Sequence, residues 1–298
     1  MKKFLIWLLA FIITILAAYY QRKTGPTYPQ RIDATLNNKH YELRLVRSLG
    51  LNERPEVKLG ISDTTIKATL YYKRFRTDDK YSMVPFIYKK YPVNSFIMNR
   101  IFKITEESGF YAAIPQQPPA GKLQYYIEII DNSDTQIVLK DQPVIMRFKG
   151  EVPGFVLLPH VLLMFIAMMF STGAGLAALF RIPEYKKYGI RTLILLGAGG
   201  MILGPLVQKY AFGALWTGIP FGWDLTDNKT LIAFIFWIAA VVANINKKRP
   251  MLTLLASIIL LLVYSIPHSL FGSELDYGTN RVIQGIVLIF LLRIKKNS

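Results

Sequence analysis

Two of the three histidines in the sequence occupy unusual positions. His160 follows Pro159 near the start of a long apolar run, and His268 follows Pro267 just after another such run. Ionisable side chains at membrane depth are costly, so each is a functional candidate. For either one alone, a helix-end histidine that reaches the headgroups is the simpler interpretation. Two such histidines at the same membrane face give a functional site as much weight as this simpler interpretation.

A glycine- and proline-shaped loop lies between these histidines in the sequence. It covers residues 213–230, contains Trp216 and Trp223, and is longer than a helix connection requires. Either tryptophan could be an interfacial belt residue, and Thr226 or Asp227 is expected to cap the next helix. An aromatic, glycine-rich loop at a membrane surface can also lie flat against a planar apolar ligand.

The composition narrows the classes of protein that could carry these residues. The chain has 298 residues, of which 52% are hydrophobic and 18% are charged, and it has no cysteine. The aromatic content argues against disorder. The lack of cysteine excludes disulfide scaffolds, Fe–S centres, cysteine-ligated zinc and thiol catalysis. The net charge of +17 would suggest nucleic-acid binding in a soluble protein.

The hydropathy pattern predicts three regions. Residues 1–20 carry two lysines, an unbroken apolar run and paired tyrosines, which favours an uncleaved transmembrane anchor over a signal peptide. Residues 21–151 alternate between apolar and polar side chains, which predicts an extracytoplasmic all-β sandwich of immunoglobulin or fibronectin type. Residues 152–298 predict a membrane domain of five helices, and hence about six transmembrane helices in the α-helical polytopic chain.

The predicted elements are as follows. The strands are expected at 41–47, 56–61, 68–75, 83–89, 100–105, 110–114, 122–130, 136–139 and 144–148. After the anchor, the spans are expected at 155–180, 192–211, 231–245, 252–266 and 282–292. The last three spans are short and should extend into their flanks, with Lys229 and Arg281 reaching outward. His40 is expected to be a surface residue at the start of a strand.

The distribution of charge sets the predicted orientation. The side shared by the N-terminus, the loops 181–191 and 246–250, and the tail 293–298 carries twelve Lys and Arg residues and one acid. Cytoplasmic loops are enriched in Lys and Arg, so both termini are expected in the cytoplasm and the β region outside, in a multi-pass protein of the cell membrane. The positive charge is therefore explained by topology, and we expect no nucleic-acid partner. The expected partner is the lipid bilayer, with the β-sandwich available to other proteins.

The order of these features resembles the heme-handling proteins of cytochrome c biogenesis. Those proteins place a tryptophan-rich motif ending in Trp-Asp in an outer loop, flanked by outer histidines that ligate heme iron. This chain has His160, then Trp216 leading to Trp223-Asp224, then His268, over residues 155–292. Its motif has fewer tryptophans and closer spacing than is usual in that family, and the β region is not a standard part of the small members.

The resemblance implies a role for each of these residues. His160 and His268 would be ligands of heme iron, and Trp216, Trp223 and Asp224 would form a platform for the porphyrin. Lys229 and Arg281 could pair with its propionates. The implied function is binding or handling of heme at the extracytoplasmic face, in cytochrome c assembly, without catalysis by the chain itself.

Two other functions stay open from the residues. An outer-face metal-dependent enzyme could take ligands for zinc or another divalent ion from His160, His268, Asp224, Asp227, Glu274 and Asp276. No His-x-x-x-His or Glu-x-x-His spacing supports this. Alternatively, the spans anchor a non-catalytic scaffold subunit whose working part is the β-sandwich. A Walker loop, a dinucleotide fingerprint and a Gly-x-Ser-x-Gly motif are all absent from the sequence.

Overall fold

The computed structural model describes residues 2–37, 39–61, 63–131, 134–268 and 272–283, and it divides into two compact units. The helical unit comprises Met1–Pro26, Gly150–Glu274 and Arg281–Ser298, and the β unit comprises Thr27–Lys149 and Leu275–Asn280. The predicted boundaries at 20/21 and 151/152 fall a few residues from these divisions. The placement of Leu275–Asn280 in the β unit departs from the predicted domain 152–298.

Long apolar helices make up the helical unit. Their bounds are α1 Lys2–Thr24, α3 Gly154–Leu179, α4 Tyr185–Leu196, α5 Gly204–Phe212, α6 Leu225–Ala243 and α7 Pro250–Ser265. A π-helix, Gly197–Leu203, joins α4 to α5. Among the residues that the structure describes, four helical segments are long and apolar enough to cross a membrane: α1, α3, the continuous stretch Tyr185–Phe212, and α6. Helix α7 is apolar but shorter.

Small residues allow these helices to pack closely. A Cβ atom on Gly173 would lie 3.1 Å from the Trp7 ring of α1, and one on Gly175 would overlap Ser257 Oγ of α7. Association of helices in lipid depends on such close contacts, because apolar side chains gain little by leaving lipid for protein. These glycines therefore fix the position of α3, the helix that carries His160.

We expect Gly175→Leu to lower the melting temperature of the detergent-purified protein. The added side chain would overlap Ser257 on α7, and overpacking of this kind costs ~1–3 kcal/mol. Gly154→Leu is the matched control, because a Cβ at Gly154 meets nothing within 4 Å. Equal melting temperatures for the two variants, measured by light scattering and tryptophan fluorescence, would show that the α3–α7 contact does not need glycine.

Strands β1–β11 of the β unit form three sheets among the described residues. Their bounds are β1 Gln30–Leu36, β2 Lys39–Leu45, β3 Ser48–Gly50, β4 Glu56–Leu59, β5 Lys67–Arg74, β6 Ser82–Pro85, β7 Ile87–Pro92, β8 Glu106–Ala113, β9 Lys122–Asp131, β10 Asp134–Val138 and β11 Val144–Lys149. The largest sheet has the order β3-β11-β9-β5-β6, with β10 also paired to β9. A second sheet has the order β4-β8-β7, and β1 pairs with β2.

The alternation of apolar residues explains the core of this unit. In β9, the side chains of Leu123, Tyr125, Ile127 and Ile129 are buried at every second position. Successive side chains of a strand point to opposite faces, so this pattern places one face of β9 in the core. Residues of both larger sheets and of the β1–β2 pair contribute to this one hydrophobic core.

Two of the predicted strands differ from the structure. The strand predicted at 83–89 is two strands, β6 and β7, which belong to different sheets. The strand predicted at 100–105 is wrong. The segment predicted as a strand at 100–105 begins instead at the end of a short helix, α2 Phe96–Arg100, and continues as irregular chain. Its apolar side chains at Ile101, Phe102 and Ile104 are all exposed, so neither face of the segment faces the core. Local hydrogen bonds, such as Ile104 N–H to the Met98 carbonyl, take the place of a strand ladder.

The end of the chain also differs from the prediction. The predicted span 282–292 cannot begin at residue 282, because residues 282 and 283 belong to a short strand, β13 Arg281–Ile283. Another short strand, β12 Glu274–Asp276, precedes it. The rest of the predicted span lies outside the described residues.

Candidate functional site

Both histidines of interest line one cavity in the helical unit. The cavity has a volume of about 180 Å³. Its lining includes His160, Met164, Gln208, Trp216, Asp227 and His268. These residues come from α3, α5, the loop before α6, the start of α6, and the segment after α7. The cavity is therefore lined by both His160 and His268, the first and last residues of the predicted site.

The backbone of the π-helix orients His160. The Nδ1 atom of His160 lies 2.9 Å from the carbonyl oxygen of Gly199, inside the π-helix. The same carbonyl also accepts the N–H of Gly204, the five-residue hydrogen bond that defines this helix type. A carbonyl oxygen only accepts, so Nδ1 of His160 carries the proton and its Nε2 keeps a lone pair.

Glycines bring the π-helix close enough for this contact. A Cβ atom on Gly199 would lie 2.9 Å from the Cβ of Leu163 on α3, and one on Gly200 would lie 3.0 Å from Thr230 on α6. Distances this short leave no space for a larger residue. The glycine cluster 197–200 thus allows close packing and also supplies the carbonyl partner of His160.

His268 lies beyond the end of α7 and contacts α1. Its Nδ1 is 3.0 Å from Gln21 Nε2, and the same amide nitrogen donates to the carbonyl oxygen of Tyr264 at 2.6 Å. Surrounding protein atoms desolvate the ring, although part of its surface stays exposed. This desolvation, with smaller contributions from Lys229 and His160, lowers the pKa of His268, so the ring is neutral at pH 7.

A buried carboxylate holds the aromatic loop in place. Asp227 Oδ2 accepts the backbone N–H of Thr217 at 2.6 Å and the hydroxyl of Thr217 at 3.2 Å. Gln208 Nε2 of α5 donates to the same hydroxyl at 2.6 Å. The adjacent residue, Trp216, is half-buried and donates from its indole nitrogen to the carbonyl of Ile219 at 3.1 Å. Asp227 therefore positions the one tryptophan of the loop that lines the cavity.

Asp224 has a structural role that the sequence assigned to its neighbours. Its Oδ1 accepts the backbone N–H groups of Thr226 at 2.8 Å and Asp227 at 3.2 Å, which caps α6. The expectation that Thr226 or Asp227 is the cap is therefore wrong. Asp224 has the backbone geometry of a cap, and its short side chain reaches the first free N–H groups of the helix. Asp224 also lines the cavity.

Three of the predicted site residues lie elsewhere. The side chain of Trp223 is 58% exposed, and it lines a separate depression with Pro220 and Phe221. Lys229 does not reach outward as expected but is buried, and its Nζ donates to the carbonyl of Ile266 at 2.6 Å. The Ile266 carbonyl caps the C-terminal end of α7, where no N–H group of the helix can donate to it. It is therefore available to the Lys229 amine, which points inward. Arg281 is exposed at the start of β13.

Comparison of the chain with protein-family models, curated proteins and solved structures gives no match. The function is therefore argued from the geometry of the chain itself. Within the part of the chain that the structure describes, no group of three or more His, Asp or Glu side chains is placed to hold a metal ion. Asp224 and Asp227 direct carboxylate oxygens at backbone N–H groups. This arrangement does not favour the zinc-enzyme hypothesis.

The two tryptophans of the loop are expected to differ in their effect on ligand binding. If the cavity holds the heme that the resemblance implies, Trp216→Ala should weaken heme binding by about tenfold, or ~1.4 kcal/mol, because the indole lines the cavity. Trp223→Ala is the matched control and should leave the affinity unchanged, because that ring lines another depression. A fluorescence-quenching titration of both variants measures the difference. Equal losses would mean that the loop acts as one aromatic platform, as the resemblance implies.

Proposed function

We propose that this chain is a polytopic membrane protein that binds heme at its extracytoplasmic face, with His160 and His268 at the binding site. Its role would be to hold or pass heme during the assembly of c-type cytochromes, as the order of its histidines and its Trp-Asp motif implies. The chain itself would perform no covalent chemistry.

A single observation carries this proposal: the two imidazoles line the same cavity. They lie 108 positions apart in the sequence, on different helical elements. Neutral imidazole nitrogen is a common axial ligand of heme iron. The cavity also has an indole on one wall and apolar residues such as Val207 and Met164 on others, which suits an apolar ring.

The hydrogen bonding of His160 suits a ligand of iron, but the cavity is too small to enclose a whole porphyrin ring. His160 donates Nδ1–H to a backbone carbonyl, the arrangement that fixes the tautomer of most metal-ligating histidines. The cavity volume of about 180 Å³ is below the roughly 300–1,000 Å³ of pockets that enclose drug-sized ligands. A porphyrin would therefore be only partly enclosed.

When bound, heme would supply an iron atom that can accept an imidazole nitrogen. The residues of this chain would hold and orient it. His160 would bind the iron through Nε2, Trp216 would cover part of the ring, and the apolar wall would exclude water. Lys229 and Arg281, proposed from the sequence as propionate partners, are less well placed, since Lys229 donates to the Ile266 carbonyl.

The architecture that we propose has six transmembrane helices and an immunoglobulin- or fibronectin-like sandwich. The four membrane-length helices, the shorter α7 and the apolar run after β13 would make up the six. The two larger sheets, which share one core, would be the layers of the sandwich. The Lys and Arg distribution supports an orientation with both termini in the cytoplasm and the β unit outside.

The test of heme binding is a titration of the detergent-purified full chain. We expect added heme to give a Soret band that shifts from its free position and saturates at one heme per chain. His40→Ala is a suitable control, because His40 lies in the β unit, where its ring contacts Thr35. A band that never saturates, or one that matches heme in empty detergent micelles, would contradict the proposal.

The orientation has a separate test, made simple by the absence of cysteine from the sequence. We expect Asp141→Cys, at an exposed position of the β unit, to react with a membrane-impermeant maleimide on intact cells. Lys248→Cys, in the exposed loop between α6 and α7, should react only after the cells are permeabilised. The reverse pattern would place the β unit in the cytoplasm.

A second candidate function, a scaffold or binding subunit, is favoured by one surface of the β unit. Phe96, Ile101 and Phe102 are 79%, 66% and 63% exposed, in a segment that also carries Arg100 and Lys103. Clustered exposed apolar side chains are typical of interaction sites. A photo-crosslinking residue at Phe102 should then give a discrete product in native membranes, while one at Asp141 should not. Identical patterns at both positions would remove the support for this function.

A further inference from the structure

The two imidazoles of the cavity are in opposite hydrogen-bonding states. His160 donates Nδ1–H to the carbonyl of Gly199 at 2.9 Å. Since a neutral imidazole carries one proton, Nε2 of His160 is left with a lone pair. A histidine in this state is ready to bind a metal ion through Nε2.

His268 has the reverse arrangement. The side-chain nitrogen of Gln21 is 2.6 Å from the carbonyl oxygen of Tyr264, which identifies it as the amide nitrogen because a carbonyl oxygen only accepts. The same nitrogen lies 3.0 Å from Nδ1 of His268. An amide nitrogen only donates, so Nδ1 of His268 is the acceptor. Neutral His268 therefore carries its proton on Nε2.

We propose that His160 is the only resident ligand of the iron, and that His268 serves as a hydrogen-bond donor held in that state by Gln21. This inference rests on the proposed function and replaces the symmetric two-histidine ligation that the sequence suggested. Gln21 is the positioning residue: it acts on the iron site only through the tautomer of His268.

The alternative, with both imidazoles bound to iron, requires two changes at His268. Its proton would have to move from Nε2 to Nδ1, and Nδ1 would then face the amide N–H of Gln21 with a donor against a donor. The amide cannot turn over without losing its bond to the Tyr264 carbonyl. The pair Gln21–Tyr264 therefore opposes ligation by His268, while the pair His160–Gly199 supports ligation by His160.

The first experiment uses the protein without heme. Only three histidines are present, so 15N-histidine labelling gives an interpretable tautomer spectrum of the detergent-purified full chain, with assignment by His40→Gln, His160→Gln and His268→Gln. We expect His160 with its proton on Nδ1 and His268 with its proton on Nε2. A spectrum with His268 protonated on Nδ1 would overturn the inference.

The second experiment adds heme. Ferric wild-type protein is expected to show a high-spin spectrum of single-histidine ligation in electron paramagnetic resonance. Gln21→Glu replaces the donor with an acceptor, which favours the proton on Nδ1 of His268, so this variant should convert to a low-spin bis-imidazole spectrum. The matched control is Thr24→Glu, which adds the same charge one turn further along α1, where the Thr24 hydroxyl bonds the carbonyl of Tyr20 rather than a histidine.

The outcomes separate this inference from the proposed function. A low-spin bis-imidazole signal in the wild type would overturn the single-ligand assignment while leaving heme binding in place. Failure of every variant to bind heme would reject the proposed function, and the tautomer spectrum would still decide the state of His268. Conversion by Thr24→Glu as well as by Gln21→Glu would attribute the change to charge and overturn the role of Gln21.

Discussion

His160→Ala is expected to lower the affinity for heme by more than ~100-fold. Loss of a residue that only hydrogen-bonds to a metal ligand already costs about 10–100-fold, and loss of the ligand itself should cost more. The variant should keep its fold, because the Gly199 carbonyl retains its bond from the Gly204 N–H when the imidazole is removed. The loss would therefore report ligation rather than unfolding. A heme titration followed at the Soret band, together with a melting curve, measures both quantities.

The matched comparison for His160→Ala is His268→Ala, which removes an imidazole from the same cavity. If His268 is only a donor, its loss should weaken binding by about tenfold, the equivalent of one hydrogen bond of ~1.4 kcal/mol. Free imidazole added to His160→Ala should restore the wild-type spectrum. Unchanged heme retention in both alanine variants would reject the assignment of the site.

Asp227→Ala is expected to have the largest effect on the aromatic loop. The substitution removes the buried acceptor of the Thr217 N–H and hydroxyl groups, and loss of a buried charged partner costs ~1–3 kcal/mol. Trp216 should then lose its position on the cavity wall. We expect a lower melting temperature and heme binding at least as weak as in Trp216→Ala.

Asp227→Asn separates the hydrogen bond from the charge. Its amide oxygen can still accept from Thr217, so most of the stability should remain. Asp141→Ala, at an exposed position of the β unit, is the control for loss of one negative charge. If Asp227→Ala has the melting temperature and the heme affinity of the wild type, the loop does not depend on this carboxylate.

The sequence predicts the features that follow from local pattern. Apolar runs predicted the membrane-length helices, and period-two alternation predicted most of the strands, including β5 and β9. It also predicted one site for His160, Trp216 and His268, because the resemblance groups them and the charge pattern assigns them to one membrane face. The same alternation wrongly predicted a strand at 100–105, where the apolar side chains are exposed and do not contribute to a core.

The details that decide the chemistry depend on contacts distant in the sequence. Gly199 accepts from His160 across 39 positions, and Gln21 reaches His268 across 247 positions. Nothing local to either residue signals the contact. Lys229 shows the same limit, because its inward turn follows from the free carbonyl of Ile266 at the end of α7, 37 positions away.

The most direct test of the account is the metal and heme content of the full chain purified from its host membranes. We predict a Soret band with iron at one atom per chain, and loss of both in His160→Ala. Stoichiometric zinc without a Soret band would contradict the account and support the outer-face metalloenzyme instead. A protein with neither iron nor zinc, and with no affinity for added heme, would leave the anchored scaffold as the remaining function.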